Sequence, residues 1–243
     1  MDNTDLLKNR LSEWGASIVG FSDLAGLMPK ALEELRYGAT VAIRLSDFII
    51  DEIKDKPTYT YFHHYRTVNA LIDQITLRAM FFIQECGYRA LAVPASQTVN
   101  DNTDSYSGIF PHKTAAVSAG LGWIGKSGLF ISSSYGPRVR LGTVLTDMPL
   151  PTMSVDPVQG CGSCRTCVDS CPAMALTGNC WEKGCERSSL VDAKACSEYM
   201  NANFKHIGRG SVCGICMKVC PKGKQRTENI EQTKVCFSDR GIV

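Results

Sequence analysis

Long apolar runs are missing from this 243-residue chain. None approaches the roughly 20 residues needed to cross a bilayer, so a membrane-spanning helix is excluded. The start, Met-Asp-Asn-Thr-Asp-Leu-Leu-Lys, also lacks the apolar core of a secretory leader. A reduced, cytoplasmic setting is therefore expected. Charge of one sign is equally scarce: Lys+Arg number 26 against Asp+Glu 24, a net +2. That balance carries no electrostatic footprint for nucleic acid. Cysteine is almost absent from the first part of the chain, where Cys86 stands alone before position 160. Eleven more follow it.

Seven of those eleven fall into two runs that each end in Cys-Pro. The first is Cys161, Cys164, Cys167, Cys171 and Pro172; the second is Cys213, Cys216, Cys220 and Pro221. The first reads C-x2-C-x2-C-x3-C-P, the spacing of bacterial two-cluster ferredoxins, in which the fourth thiolate serves the other cluster. The x2 gaps let one loop wrap three thiolates around a cubane. The x3 step starts a helix and turns the fourth sulfur away, and Pro172 suits that helix's first turn. Two cubanes need about eight thiolates, one more than the runs supply. Cys196, in the amphipathic stretch between them, is the best eighth. The expected sets are Cys161, Cys164, Cys167 and Cys220 for one 4Fe-4S cluster, and Cys171, Cys196, Cys213 and Cys216 for the other. Cys180 and Cys185 are the rivals of Cys196.

A disulfide framework belongs in a short secreted chain, which this start does not announce. Zinc would use two C-x2-C pairs and leave Cys167, Cys171 and Cys220 without a purpose. No C-x3-C-x2-C order of a radical enzyme occurs. Cys86 closes the apolar face of a helix and reads as a small core residue. Cys236 sits in a polar tail.

The three-proline stretch from Thr146 to Pro157 reads as a link. It predicts one domain over 1–150 and a second, carrying the clusters, over 151–243. The first half alternates helix and strand signals, giving an α+β class with a mixed sheet. Leu7, Leu11 and Trp14 form a helical stripe, and strands are predicted over 16–21, 39–45 and 88–93. A long helix carries Val68, Leu71, Ile72, Ile75, Ala79, Phe82, Ile83 and Cys86, stopped by Gly87. Residues 128–132 and 138–145 flank Ser-Ser-Tyr-Gly-Pro and predict a hairpin with each other.

Gly120-Leu-Gly-Trp-Ile-Gly-Lys-Ser127 satisfies both the dinucleotide G-x-G-x-x-G and the phosphate-loop G-x4-G-K-S patterns. Each requires a strand before it and a helix after it, so that helix N-terminal N–H groups face the phosphates. Here a helix-like stretch precedes and a strand-like one follows. The order is inverted, so a nucleotide site is not expected. Two readings remain: a helix C-terminus turning into a strand, or glycines that let the backbone approach a large flat cofactor.

Gly87-Tyr-Arg, Ala119-Gly-Leu-Gly-Trp-Ile-Gly-Lys126, Tyr135-Gly-Pro-Arg-Val-Arg-Leu-Gly-Thr-Val-Leu-Thr-Asp147 and the cysteine module together resemble the epoxyqueuosine reductases and, more distantly, the reductive dehalogenases. The resemblance spans residues 39 to 221. It implies a nitroreductase-like N-terminal domain that holds cobalamin, with Gly120, Gly122, Trp123, Gly125 and Lys126 near the corrinoid, and an adjacent ferredoxin-like module that feeds it electrons. In that family cobalt is reduced to a nucleophilic Co(I). Two departures matter. The aspartate expected after Gly-Tyr-Arg is missing from Ala90-Leu-Ala-Val-Pro-Ala-Ser96, and no helical repeats that grip tRNA follow Pro221, so tRNA is not the expected substrate.

A reductase needs a proton source. The polar stretch from Ser96 offers Asp101, Asp104 and Tyr106, with His112 and Lys113 after it. Tyr106 is the first choice, because the dehalogenases use a tyrosine; His112 is the second, because it titrates near neutral pH. His63 and His64 read as surface or packing residues and His206 as a loop residue. Arg165, Lys218 and Lys222 lie beside ligands and would offset cluster charge. The expected protein is an iron-sulfur oxidoreductase passing single electrons through two clusters to an N-terminal site, with a small-molecule or corrinoid substrate and a ferredoxin- or flavodoxin-type partner. The alternative is an electron carrier or corrinoid-protein activator.

Overall fold

The computed structural model describes residues 2–97, 106–152, 160–209 and 212–223. Asp101, Asp104 and Cys236 lie outside them. Helix α1 (Asn3–Glu13) opens on Asp2, whose carboxylate accepts from the amides of Thr4 and Asp5, and buries Leu7 and Leu11. Then follow β1 (Ile18–Asp23), β2 (Tyr37–Arg44), α2 (Asp47–Asp51), α3 (Tyr59–Glu85), β3 (Ala90–Val93) and α4 (His112–Ser118). The first half closes with β4 (Gly122–Ile124), β5 (Phe130–Ser132) and β6 (Val139–Thr146). The cysteine-rich part is carried by α5 (Thr166–Asp169), α6 (Ala193–Gly208) and α7 (Ile215–Lys218). Among the described residues no helix is long and apolar enough to cross a membrane.

The class is α+β, but the described sheet is antiparallel rather than mixed. Its order is β1-β2-β6-β3, and each neighbouring pair runs antiparallel. Strands β2 and β3 do run parallel across the α3 crossover, as the alternating signals imply, but β6 is inserted between them. This is a split β-α-β unit. The predicted hairpin of 128–132 with 138–145 does not form. β5 pairs instead with β4, and β6 takes the sheet centre between β2 and β3. The turn between them survives as a single bridge from Ser132 to Gly136.

Period-two alternation decides the faces. Ala39, Val41 and Ile43 of β2 join α1 and α3 in the main core, whereas Ala42, Val139 and Leu141 face α4 and the β4–β5 hairpin. Helix α3 begins at Thr58, whose hydroxyl accepts from the amide of Tyr61 at 3.0 Å, and ends before Gly87 at φ +86°. It reaches the sheet closely because β6 carries Gly142, where an added Cβ would lie 2.4 Å from Ile72. Cys86 packs on this core.

The same core takes in Val212, Ile215 and Met217 from the second cysteine run. A charge network reinforces the junction. Arg138, only 3% exposed, donates to Asp47 and Asp51 at 2.8 Å each, and Lys218 of α7 donates to Asp51 at 2.8 Å. Hydrogen bonds from Arg138 and then Lys218 hold the Asp51 carboxyl down at about 2. A depressed carboxyl stabilises the fold above its unfolded value and loses that contribution as pH falls through the folded one. Acid unfolding should therefore set in between about pH 4 and 2. Arg138→Met should lower stability by about 1–3 kcal/mol, read as a lower melting temperature, and weaken this acid limb.

Candidate redox centre and adjoining cavity

The cysteine loops are shaped by local signals. Cys164 follows a tight turn in which its amide donates to the Cys161 carbonyl at 3.0 Å, with Gly162 at φ +50°. α5 follows and carries Cys167. Gly214, at φ +82°, caps α7, which carries Cys216; a side chain there would strike Ile53 and Tyr61. Cys196 stands on α6, whose first turn is capped by Asp192 accepting from Ala195 N at 2.9 Å.

The thiols act on one another in two groups. Burial, then Cys220, Cys161 and Cys164, push the Cys167 thiol up. Burial likewise raises Cys220, with Cys161 and Cys164 adding to it. Cys196 is raised by burial and next by Cys171. Burial pushes Cys213 up to about 11, helped by Cys196 and Cys171. Cys216 is raised by burial and then by Cys213, Cys196, Cys171 and, last, Cys167. Cys164 differs: it is partly exposed, and a hydrogen bond from the Thr166 hydroxyl lowers its thiol. Cys180 is exposed, and Cys185 packs with Trp181 against the smaller core. Among the described residues no three His, Cys, Asp or Glu side chains converge as around a single metal ion.

The glycine-tryptophan segment braces this region. Helix α4 ends at Ala119, Gly120 turns the chain at φ +70°, and β4 follows, so the helix-to-strand order holds. At Gly122 a Cβ would lie 2.0 Å from the Ile131 carbonyl, and at Gly125 it would meet Ile131 and, at 3.3 Å, Cys161 Sγ. The Trp123 ring lies where a Cβ on Gly160 would fall, 2.3 Å away. Lys126, 8% exposed, donates to the Gly162 carbonyl at 2.8 Å. These residues thus hold β5 and the first cysteine loop. Among the described residues the buried indole N–H of Trp123 has no partner, a donor that suits a sulfur-bearing group beside Cys161. Gly160→Ala should overpack this contact at a cost of about 1–3 kcal/mol. Iron uptake into the first loop should fall, and Trp123→Leu should restore it.

A cavity of about 520 Å³ opens where the end of β3, the start of α4, β5 and the start of β6 meet. Its walls include Val93, Phe110, Leu129, Phe130 and Leu141, and Met217 brings α7 to it beside Cys216. Tyr106 lines it, 38% exposed, its carbonyl accepting from Arg187 at 2.7 Å. His112 lines it with both ring nitrogens engaged, Nδ1 to Thr143 Oγ1 at 3.0 Å and Nε2 to the Pro94 carbonyl at 3.1 Å. Burial lowers its pKa, so it is held as a neutral, fixed ring. Lys113 donates to the Gly128 carbonyl, and burial, then Arg187 and Arg140, bring its ammonium down to about 8.

Sequence reasoning passed over Arg140, Arg187 and Met217. Arg140 donates to Asn69 Oδ1 at 2.8 Å and to Tyr65 OH at 3.2 Å; its even position in β6, opposite in facing to Val139 and Leu141, was the available signal. Nothing local announces Arg187, which lies in the turn Arg187–Ser189. His64 packs, accepting from Ser46 N at 3.1 Å, and His63 and His206 are exposed.

Residues 160–223 match the family model of the 4Fe-4S double cluster binding domain. The chain is 34% identical over 119 residues to an epoxyqueuosine reductase of Pseudomonas aeruginosa, covering 45% of this chain and 30% of that protein. It is 31% identical over 147 residues to the tetrachloroethene reductive dehalogenase of Sulfurospirillum multivorans, covering 58% and 26%. These curated relatives are thus matched over less than a third of their length. In fold it is similar to a solved reductive dehalogenase, with TM-score 0.70 and 21% identity over 94% of this chain and 32% of the other. It is similar also to the epoxyqueuosine reductase of Streptococcus thermophilus, with TM-score 0.58 and 21% identity over 92% and 67%. In the spacing of its cysteines, its double-cluster domain and its fold, the chain is thus similar to the epoxyqueuosine reductases and the reductive dehalogenases.

Proposed function

We propose that this protein is an iron-sulfur oxidoreductase in which two 4Fe-4S clusters pass single electrons to a site in the cavity. Its substrate is a small molecule or a corrinoid. The observation that carries the reading is the contact of the two: Met217, next to Cys216 on α7, forms part of the cavity wall. The grouping of Cys161, Cys164, Cys167 and Cys220 apart from Cys171, Cys196, Cys213 and Cys216 supports one interleaved cluster in each set. Electrons enter on the side of Cys164, which faces solvent, from a ferredoxin- or flavodoxin-type partner, and leave past Cys216. The reading takes residues 1–150 as a nitroreductase-like domain and 151–243 as a ferredoxin-like one.

The cavity residues then have distinct work. Phe110, Leu129 and Phe130 exclude water from the reacting atoms, which strengthens every charge interaction there. His112, neutral and fixed between Thr143 and Pro94, orients the N-terminus of α4. Lys113 holds the proton. A reduced corrinoid bound here would supply a strongly nucleophilic metal for the electrons to act through, and the apolar walls would meet its ring. Titration of cob(II)alamin into the anaerobically purified full chain tests this part, with expected changes in the visible and EPR spectra. Unchanged spectra would remove the corrinoid from the account and favour the alternative, an electron carrier or corrinoid-protein activator.

A further inference from the structure

We infer that the cavity binds an oxyanion, the carboxylate or phosphate of a ligand whose body is apolar. The inference deepens the function proposed above and rests on the cavity being its active site. Three cationic side chains from three different elements reach the cavity: Lys113 from α4, Arg140 from β6 and, at the mouth, Arg187. Its described lining holds no Asp or Glu. Each cation hydrogen-bonds a neutral group instead: the Gly128 carbonyl for Lys113, Asn69 and Tyr65 for Arg140, and the Tyr106 carbonyl for Arg187. Among the described residues none of the three forms an ion pair.

Of the acidic groups nearby, the Cys196 thiol feels Arg187, whereas Lys113 and Arg140 meet no carboxylate as an ion pair among the described residues. The imidazole of His112 is neutral, and the Asp73 carboxylate, which accepts from the Ala95 amide at 2.9 Å and acts on His112, forms no ion pair with any of the three cations among the described residues. Burial, and after it Arg187 and Arg140, depress the Lys113 ammonium, so the three like charges act on one another. Lys113 and Arg140 are half-buried and Arg187 is exposed; half-buried cations without a counter-charge are costly, and a bound anion relieves that cost through charge-assisted hydrogen bonds. The rest of the wall, Val93, Phe110, Leu129 and Phe130, suits an apolar body. A cavity of about 520 Å³ is within the range of small-ligand sites.

Two sources share this chemistry: an acid group on the substrate, and the phosphodiester in the nucleotide tail of a corrinoid. The test is calorimetric titration of the anaerobically reconstituted full chain with benzoate and with its neutral analogue benzamide. Benzoate should bind, and benzamide should bind at least about tenfold more weakly. Arg187→Gln and Lys113→Gln should each weaken benzoate by about tenfold and leave benzamide unchanged. Arg140→Gln should do the same; because Arg140 also ties β6 to α3, Arg187→Gln keeps the test readable if that variant does not fold. Benzoate binding blocked by cobalamin but not by cobinamide, which lacks the phosphodiester, assigns the site to the corrinoid tail. Binding retained with both assigns it to the substrate. Equal affinity for benzoate and benzamide, or indifference of benzoate to both Arg187→Gln and Lys113→Gln, overturns the inference. So does a native chain that ignores benzoate, the result expected if Asp101 or Asp104 supplies the counter-charge. Iron and sulfide measured on the same samples separate any such failure from failure of the cluster reading.

Discussion

Cys216→Ser should cut the iron of the anaerobically reconstituted chain from about eight atoms to about four and stop reduction at the cavity. The position combines three things that the other cysteines do not. Its thiol is raised by burial, it feels Cys213, Cys196 and Cys171, and its neighbour Met217 forms cavity wall. Serine offers a far poorer ligand to iron than a thiolate, and the other three thiols of the set cannot complete four. Cys164→Ser, on the exposed side, should remove the other cluster and slow reduction by the external donor. The same reasoning separates the candidates for the eighth ligand. Cys196→Ser should reproduce the iron loss, whereas Cys180→Ser, at an exposed position, should leave iron content unchanged. Iron loss from Cys180→Ser or Cys185→Ser, with none from Cys196→Ser, would refute the assignment of Cys196.

Lys113→Met should lower the reduction rate by about 10²–10³-fold with iron content unchanged. The ammonium of Lys113, brought down to about 8 by burial and by the two arginines, is protonated at neutral pH and still able to give its proton up. As an acid it is active below its pKa. The native rate should therefore be flat up to neutrality and fall as pH rises through about 8, and the variant should lose this limb. Tyr106→Phe gives the contrast: if Tyr106 is the proton donor, that variant carries the loss and Lys113→Met does not. A rate that persists through pH 9 in the native chain would remove Lys113 from the role.

The parts of this molecule that were legible in the sequence are those set by neighbours in the chain. Gly87 ends α3, and the buried stripe of Val68, Ile72, Ile75, Ala79, Phe82 and Ile83 gives its inner face. The helix-to-strand order around Gly120 is local too, and it ruled out a phosphate loop. What was not legible depends on long-range pairing. β6 looks like the second arm of a hairpin because Ser-Ser-Tyr-Gly-Pro precedes it, yet it pairs with β2 and β3, which come earlier in the chain. From the sequence, the glycines of 120–126 read as either a helix-to-strand turn or a cofactor contact. Only the fold shows that Gly122 accommodates Ile131 and that Trp123 covers Gly160. The cavity was hidden for the same reason, since Lys113, Arg140, Arg187 and Met217 meet only after four separate elements have packed.

The central claim is that two interleaved cubanes adjoin the cavity, and it is tested most directly by counting spins and atoms together. Iron and acid-labile sulfide, determined on the fully reconstituted native chain beside EPR of its reduced form, should give about eight of each per chain, with a signal that integrates to two interacting centres. Four or fewer irons with a single isolated centre would contradict it.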